Sequence, residues 1–363
     1  MKIAVNTRFL LKNRLEGIGR FTYETMQRLA VAHPEHEFIF LFDRAYDSSF
    51  IFSKNVTPVV LFPQARHPIL FVWWFEWSVV RALKKYRADV FISPDNFLSL
   101  RTKVPTILVV HDIAFVHFTD GDKWINRVYY RYFMPRFLKK ASHILTVSEF
   151  TKRDIVEHFN IEKDKITVCY NGCREGFHPS ESMGFKSDYF IYMGAVHPRK
   201  NVHHLIEAFD LFKKWHNSPL KLLICGRFAW QTGAVKSAYD AAEHKADIIF
   251  KGYVTDEEAV TLMQKALGLV YVSNFEGFGI PLLEAMHCDI PIITSNISSM
   301  PEVVGDAAIL VNPESVEEIA EALSKLACND DLRQVLIEKG RIQRTKFSWE
   351  KTAQVLFNKT IEI

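Results

Sequence analysis

Short apolar runs alternate with amphipathic stretches along the whole chain, and the two kinds of pattern predict different elements. The runs predict strands at Lys2–Val5, Glu37–Phe42, Val59–Phe62, Val90–Ser93, Thr106–Val110 and His143–Val147. Stretches with mixed polar faces lie between most of them, as at Gly19–Ala32 and Thr151–Phe159, and predict helices. The pattern then restarts with strands expected at Phe190–Met193, Lys221–Cys225, Ile248–Phe250, Leu269–Val272, Pro291–Thr294 and Ala308–Val311. Between the sets, Cys173–Asp188 is rich in Gly, Pro, Ser and charge and reads as a linker. Strand–helix alternation of this kind implies a parallel sheet with helices on both faces. The expected fold is therefore α/β, with two doubly wound Rossmann-like domains, residues 1–178 and 179–347, and a cleft between them. Ligands of such sheets bind beyond the carboxyl ends of the strands, often where domains meet.

Composition narrows the function classes. A chain of 363 residues that is 48% hydrophobic is long enough for two cores. Lys and Arg number 45 against 42 Asp and Glu, and a net charge of +3 argues against a nucleic-acid binder. The cysteines, Cys169, Cys173, Cys225, Cys288 and Cys328, are odd in number and lack zinc-type spacing, which reads as reduced thiols in a cytoplasmic protein. The start, Met1 to Asn6, reads as a strand and not a signal peptide. No apolar stretch reaches membrane-spanning length; the nearest candidate, Ile69 to Leu83, is short and is broken by Glu76. Phe71–Trp77 and Trp124–Lys140 mix aromatics with Arg and Lys, among them Arg127, Tyr129, Tyr130, Arg131, Tyr132, Arg136, Lys139 and Lys140. Two readings stand for them: a surface resting on an anionic bilayer, peripheral at the inner face of the membrane, or helices packed on the sheet with their charges in water.

The segment Asn274 to Met286, with Glu276-Gly277-Phe278-Gly279-Ile280-Pro281-Leu282-Leu283-Glu284 at its centre, carries the strongest chemical signal. An expected strand runs into a Gly-containing loop, and Pro281 suits the first turn of a helix, where its missing N–H costs nothing. The N–H groups of Gly279 and Ile280 would then face an anion, helped by the helix dipole, which makes a diphosphate cradle. Glu276 in the loop and Glu284 inside the helix can accept hydrogen bonds from sugar hydroxyls.

These residues resemble the paired-glutamate motif of retaining GT-B glycosyltransferases, family 4 in the sequence classification. The resemblance spans nearly the whole chain. Gly17-Ile18-Gly19-Arg20 is similar to the family's N-terminal glycine loop and His111-Asp112 to its first-domain histidine motif. Val147-Ser148-Glu149-Phe150, Tyr170-Asn171-Gly172, Gly194, Pro198-Arg199-Lys200-Asn201, Gly226, Gly252-Tyr253-Val254 and Pro301 to Ala307 follow in family order. The resemblance implies a nucleotide diphosphate sugar as co-substrate. Glu276, His111 and Lys200 would form the catalytic set. Arg199, Lys200, Gly17, Gly19, Tyr253, Val254, Phe278, Gly279, Ile280 and Glu284 would bind the donor, with Glu284 on its ribose. It also implies that a last helix, from about Ser348 to residue 363, packs back across the cleft. Where some relatives carry a basic residue after the glycine opening the second domain, this chain has Ala195, which shifts the diphosphate toward Arg199 and Lys200, or Arg227.

The motif style resembles bacterial mannosyltransferases of surface polysaccharide assembly, so GDP-mannose is the first expectation for the donor. Glucose, galactose and rhamnose donors are alternatives, and a glycan or lipid-linked saccharide is the expected acceptor. A member of the family that binds sugar nucleotides without transfer, or an epimerase or hydrolase on the same fold, is the competing reading. A dinucleotide fingerprint at Gly17 and Gly19 fails because Thr22 stands where a third glycine is needed. Asp120-Gly121-Asp122 has the form of a metal-holding pair but stands beside no clear strand end, and His203-His204 reads as helix surface, so no metal is expected.

Overall fold

The structure is a computed structural model, and it describes residues 1–12, 15–118, 124–180, 188–227 and 233–363. Asp120-Gly121-Asp122 lies outside the described residues. The chain divides into two compact units, Met1–Asn171 with Ser348–Ile363, and Gly172–Phe347.

The first unit is built on seven parallel strands: β1 (Lys2–Asn6), β2 (Glu37–Phe42), β3 (Val56–Val60), β4 (Val90–Ser93), β5 (Thr106–Val110), β6 (His143–Thr146) and β7 (Ile166–Val168). Their order is β3-β2-β1-β4-β5-β6-β7. In the central strand β1, Ala4 pairs with both Ile39 and Phe91, and every residue from Ile3 to Asn6 is buried. Burial on both faces explains the unbroken apolar run, since helices cover each side of a parallel sheet. The third strand lies at Val56–Val60 rather than the expected Val59–Phe62 and takes Pro58 into the ladder opposite Phe40. It is an edge strand, where one side needs no partner and a missing N–H is tolerated.

Residues Pro68–Trp73, Trp74–Val79 and Val80–Tyr86 form one continuous helical stretch whose middle is a π turn. Glu76, which interrupts the apolar run in the sequence, is buried there and accepts hydrogen bonds from the N–H groups of Leu100 (2.8 Å) and Arg101 (3.0 Å) and from Ser99 Oγ (3.2 Å). It satisfies a loop that would otherwise carry buried, unpaired donors. Trp74 and Phe75 join the core with Tyr129 and Phe137, while Trp73, Trp77, Arg131, Tyr132 and Arg136 are exposed. The two aromatic stretches thus split residue by residue between core and surface.

The last helix, Trp349–Ile361, begins at Ser348, whose side chain accepts from the Lys351 N–H. It packs on the helix Gly17–Ala32: Trp349 meets Phe21 edge-on at 6.1 Å, Phe357 stacks on His33 at 3.5 Å, and Arg28 Nε donates to Glu350 at 2.8 Å.

The second unit holds six parallel strands, β8 (Tyr189–Met193), β9 (Lys221–Cys225), β10 (Ile248–Gly252), β11 (Gly268–Tyr271), β12 (Ile292–Ser295) and β13 (Ala308–Val311), in the order β10-β9-β8-β11-β12-β13. In each sheet the chain winds outward one way and then the other, so the order reverses between β1 and β4 and between β8 and β11. Those reversals open crevices beyond the strand ends, where α/β sheets bind ligands.

Candidate active site

The crevice of the second unit is filled from two sides. After β8 the chain makes a single turn, Pro198–Lys200, capped by His197 and closed by Asn201 in the left-handed region at φ 57°. Asn201 is buried, and its Nδ2 donates to Val272 O at 3.1 Å and Pro313 O at 2.6 Å, which fixes the turn against the end of β11. After β11 the loop returns the tie: the Asn274 N–H donates to Arg199 O at 2.8 Å. Arg199 and Lys200 are therefore held beside Glu276, although Lys200 lies 76 positions from it in sequence.

Glu276 is buried, with 6% of its surface exposed. Its Oε1 accepts from Tyr271 OH at 2.7 Å and pairs with Lys200 Nζ, which itself donates to Tyr271 OH at 2.7 Å. Burial pushes the Glu276 carboxyl up, but the positive charges of Lys200 and Arg199, with hydrogen bonds from Lys200 and Tyr271, outweigh it and hold it below the usual range. The same burial, with the Glu276 charge, pushes the Tyr271 phenol well above its ordinary value, so it stays a donor. Ser298 and Ser299 donate to the Glu276 carbonyl at 2.6 and 2.9 Å and fix the loop. The side-chain oxygens Ser273 Oγ and Asn274 Oδ1 on that loop are buried with no hydrogen-bond partner among the described residues. Such atoms are uncommon and suit a polar ligand.

The loop ends at Gly279, whose φ of 98° is a conformation an L side chain resists and which starts the helix Ile280–His287. Pro281 sits in the first turn and lacks an N–H, the Leu282 N–H donates to Gly279 O at 3.0 Å, and no side chain hydrogen-bonds to cap the start. Phe278 is buried edge-on against Phe347 at 5.6 Å. Glu284 is 1% exposed, and Arg174 Nε donates to its Oε1 at 2.5 Å while Arg174 Nη1 reaches Asp256 at 2.7 Å. Burial works against the Arg174 charge, yet Glu284 and Asp256 raise its pKa on balance. The structure thus brings together Arg199, Lys200, Glu276, Phe278, Gly279 and Ile280. Tyr253, 73% exposed, and Val254 follow β10, two strands away from β8. Tyr271 and Arg174 escaped the sequence reading because a tyrosine in a strand and an arginine in a linker carry no local signature.

The first unit has its own crevice. Gly17 and Gly19 form the first turn of the helix Gly17–Ala32 rather than a loop, and no side chain caps it. A Cβ on Gly19 would meet Phe9 O at 2.5 Å, so the glycine lets the helix approach the backbone after β1. His111 follows β5; its Nε2 lies 2.8 Å from Pro94 O, and its N–H donates to Asn96 Oδ1 at 2.9 Å. Burial lowers its pKa, against the pull of the Pro94 carbonyl and of Asp112 and Asp95. A neutral ring donating from Nε2 presents Nδ1 as an acceptor. Arg8 and Asp95, which no sequence pattern marks, form a buried ion pair beside it, with the guanidinium over the rings of Phe71 and Phe97.

A doubly wound unit whose strand-order reversal gathers two cations, a buried carboxylate and an uncapped helix start belongs to the nucleotide-handling α/β proteins. Residues 175–343 match the family described as Glycosyl transferases group 1, and residues 15–175 match Glycosyltransferase Family 4. The chain is 28% identical to O-antigen chain mannosyltransferase B of Escherichia coli, over 96% of both chains. It is 30% identical to the O-antigen chain mannosyltransferase RfbU of Salmonella typhimurium, over 71% of this chain and 73% of that one. Among solved structures, the Anabaena protein HepE in complex with UDP and glucose superposes with a TM-score of 0.76 over 100% of both chains at 16% identity, a likeness of fold. The chain therefore belongs to the family 4 glycosyltransferases of the GT-B fold, related to bacterial O-antigen mannosyltransferases.

Proposed function

We propose that the protein transfers mannose from GDP-mannose to a hydroxyl of a glycan or lipid-linked saccharide, with retention at the anomeric carbon. The observation that carries this reading is the Lys200–Tyr271–Glu276 cluster beside Arg199 at the crevice of the second unit. The relatives' names supply the sugar. In this reading Arg199, Lys200 and the helix start at Gly279 take the diphosphate, Glu276 takes the hexose close to C1, and Glu284 takes the ribose. Tyr253 and Val254 lie beside the base, and His111 and the first turn at Gly17 and Gly19 complete the set. The C1–O bond to the diphosphate breaks with its electron pair leaving on the phosphate. The two cations and the helix N–H groups stabilise that charge, which is electrostatic catalysis in a preorganised site. The acceptor oxygen then bonds to C1 from the face the phosphate leaves, and the departing phosphate takes its proton.

The test is product analysis by NMR with GDP-mannose alone and then with a mannose-containing acceptor. A new α-mannosidic linkage that appears only with acceptor supports the reading. Free mannose or an epimerised donor without transfer would replace it with the hydrolase or epimerase reading. A thermal-shift comparison of GDP, UDP, ADP and dTDP tests the base, since the matching nucleotide stabilises the folded state by mass action. Because Arg199 and Lys200 supply the positive charge at the diphosphate, transfer is expected to continue in EDTA. Loss in chelator with recovery on magnesium or manganese would reopen Asp120 and Asp122 as ligands.

The same reading places the protein in the cytoplasm, at the inner face of the membrane. Among the described residues, no helix is long and apolar enough to cross a membrane. The surface of the first unit exposes Ile69, Trp73 and Trp77 along one helical stretch, with Arg101 over the Trp77 ring at 5.1 Å, and Arg131, Tyr132 and Arg136 on Trp124–Lys140. Exposed tryptophans with arginines suit the headgroup layer of an anionic bilayer. Flotation with phosphatidylglycerol vesicles should fall as salt rises; equal recovery with neutral vesicles would discard this placement.

A further inference from the structure

A second cluster of ligand-type side chains lies in the first unit and includes none of the residues assigned to the donor. Asp154 and His158 stand one turn apart on the helix Glu149–Phe159, so their side chains share a face. His117 closes the short helix Ala114–His117 that follows β5. Its Nε2 lies 2.8 Å from Asp154 Oδ1 and 2.9 Å from Oδ2, and His158 Nδ1 lies 3.1 Å from Asp154 Oδ1. One ligand atom from each of the three falls within 4.8 Å of the others. The imidazole planes cross at 80° with centroids 5.0 Å apart, so both rings turn an edge toward one carboxylate.

We infer that His117, Asp154 and His158 form a binding site for a divalent transition-metal ion of the zinc type. Three arguments carry this. Two imidazoles and one carboxylate are the donor set that such ions prefer, whereas magnesium and calcium take oxygen ligands. In a tetrahedron with bonds of about 2.1 Å the ligand atoms stand about 3.4 Å apart, a spacing these side chains reach by small rotations. Asp154 is buried while His117 and His158 reach the surface, so the carboxylate is preplaced and an ion can enter between the rings. To ligate, each imidazole must carry its proton on the nitrogen turned toward solvent, and His158 Nδ1 must exchange its 3.0 Å hydrogen bond to Asp154 O for the bond to the ion. Three protein ligands leave a position for water.

The ion would have a stapling role. It would join the segment after β5, which begins with His111, to the helix whose Thr151 Oγ1 already donates to His111 O at 3.4 Å. Zinc binding and transfer are read separately, so failure of either reading leaves the other standing.

The experiment uses the full chain, stripped with chelator and dialysed, and titrated with zinc chloride or magnesium chloride by calorimetry and thermal melting. The expected result is one zinc per chain, a Tm that rises with the logarithm of free zinc, and no response to magnesium. His117→Ala and His158→Ala should each weaken that zinc binding by at least the roughly 10- to 100-fold that losing even an outer-shell partner costs. Asp154→Asn should do the same, and the histidine variants keep the test open if that buried substitution unfolds the chain. Cobalt substitution gives a second readout, because three protein ligands and water produce visible absorption that the double histidine variant should lack. Zinc binding of equal affinity in His117→Ala/His158→Ala, or no stoichiometric zinc binding in the parent, would overturn the inference.

Discussion

At the scale of single residues the candidate site rests on one shared oxygen. Glu276 Oε1 takes both Lys200 and the Tyr271 hydroxyl, so the carboxylate is held charged and aimed before any ligand arrives. Glu276→Ala is expected to leave GDP affinity largely intact and remove most turnover, because the group would act on the hexose. Glu284→Ala is expected to weaken GDP binding, since it would act on the ribose and also leaves Arg174 without its buried partner. Steady-state kinetics beside nucleotide calorimetry separates the two, and full activity in Glu276→Ala would refute the assignment. Lys200→Ala should cost on the order of 2–4 kcal/mol of transition-state stabilisation, as loss of one preorganised donor does. It also strands a buried carboxylate, so its Tm should drop as well. An unchanged kcat in that variant would remove Lys200 from the chemistry.

Elements decide how close backbones come. The helix Gly17–Ala32 starts with two glycines that stand in different surroundings. A Cβ at Gly19 would strike Phe9 O at 2.5 Å, whereas one at Gly17 would meet nothing within 4 Å. Gly19→Ala is expected to destabilise the fold by about 1–3 kcal/mol through overpacking. Gly17→Ala should leave Tm unchanged, so any loss of transfer in that variant reports a ligand at the helix start and not a damaged fold. Equal Tm values for the two variants would contradict the close approach. The capping box of the helix Asp256–Lys265, where Thr255 accepts from the Glu258 N–H at 3.2 Å and Glu258 accepts from Thr255 at 2.8 Å, fixes the chain just after Tyr253 and Val254.

For the molecule as a whole, histidines spread through both units respond to acid in one direction. Burial lowers the pKa of His36, His111, His143, His203 and His287 below the ordinary histidine value. In the unfolded chain these rings regain the ordinary value of about 6.5 and bind protons first as pH falls. The unfolded state therefore takes up more protons below about pH 6.5, and stability declines there, before carboxylates such as Glu276 with depressed values begin to titrate. Thermal melts from pH 7.5 to 5 should show Tm falling across that interval, and replacing His111 with Phe should lessen the slope. A Tm that holds steady from pH 6.5 to 5 would argue that the rings stay protonated in the fold.

The sequence by itself determined the elements and their alternation. Apolar runs mark buried strands because local backbone geometry and burial act over a few residues, and the single restart of that pattern shows in the two sheets. The strand Ile166–Val168 escaped that reading because a run of three residues has no periodicity to detect. The paired-glutamate segment was also legible, since a glycine loop and a proline at a helix start are local features. Only the tertiary structure decided which charges meet. Lys200 reaches Glu276 because β8 and β11 are neighbours, Arg174 reaches Glu284 across 110 positions, and Arg8 faces Asp95 because β4 lies beside β1. It likewise decided that Trp74 is core while Trp73 is surface, and that His117 meets Asp154. Strand order is a non-local property fixed by packing of the whole sheet, so the partner of a charged side chain cannot be read from its neighbours in sequence.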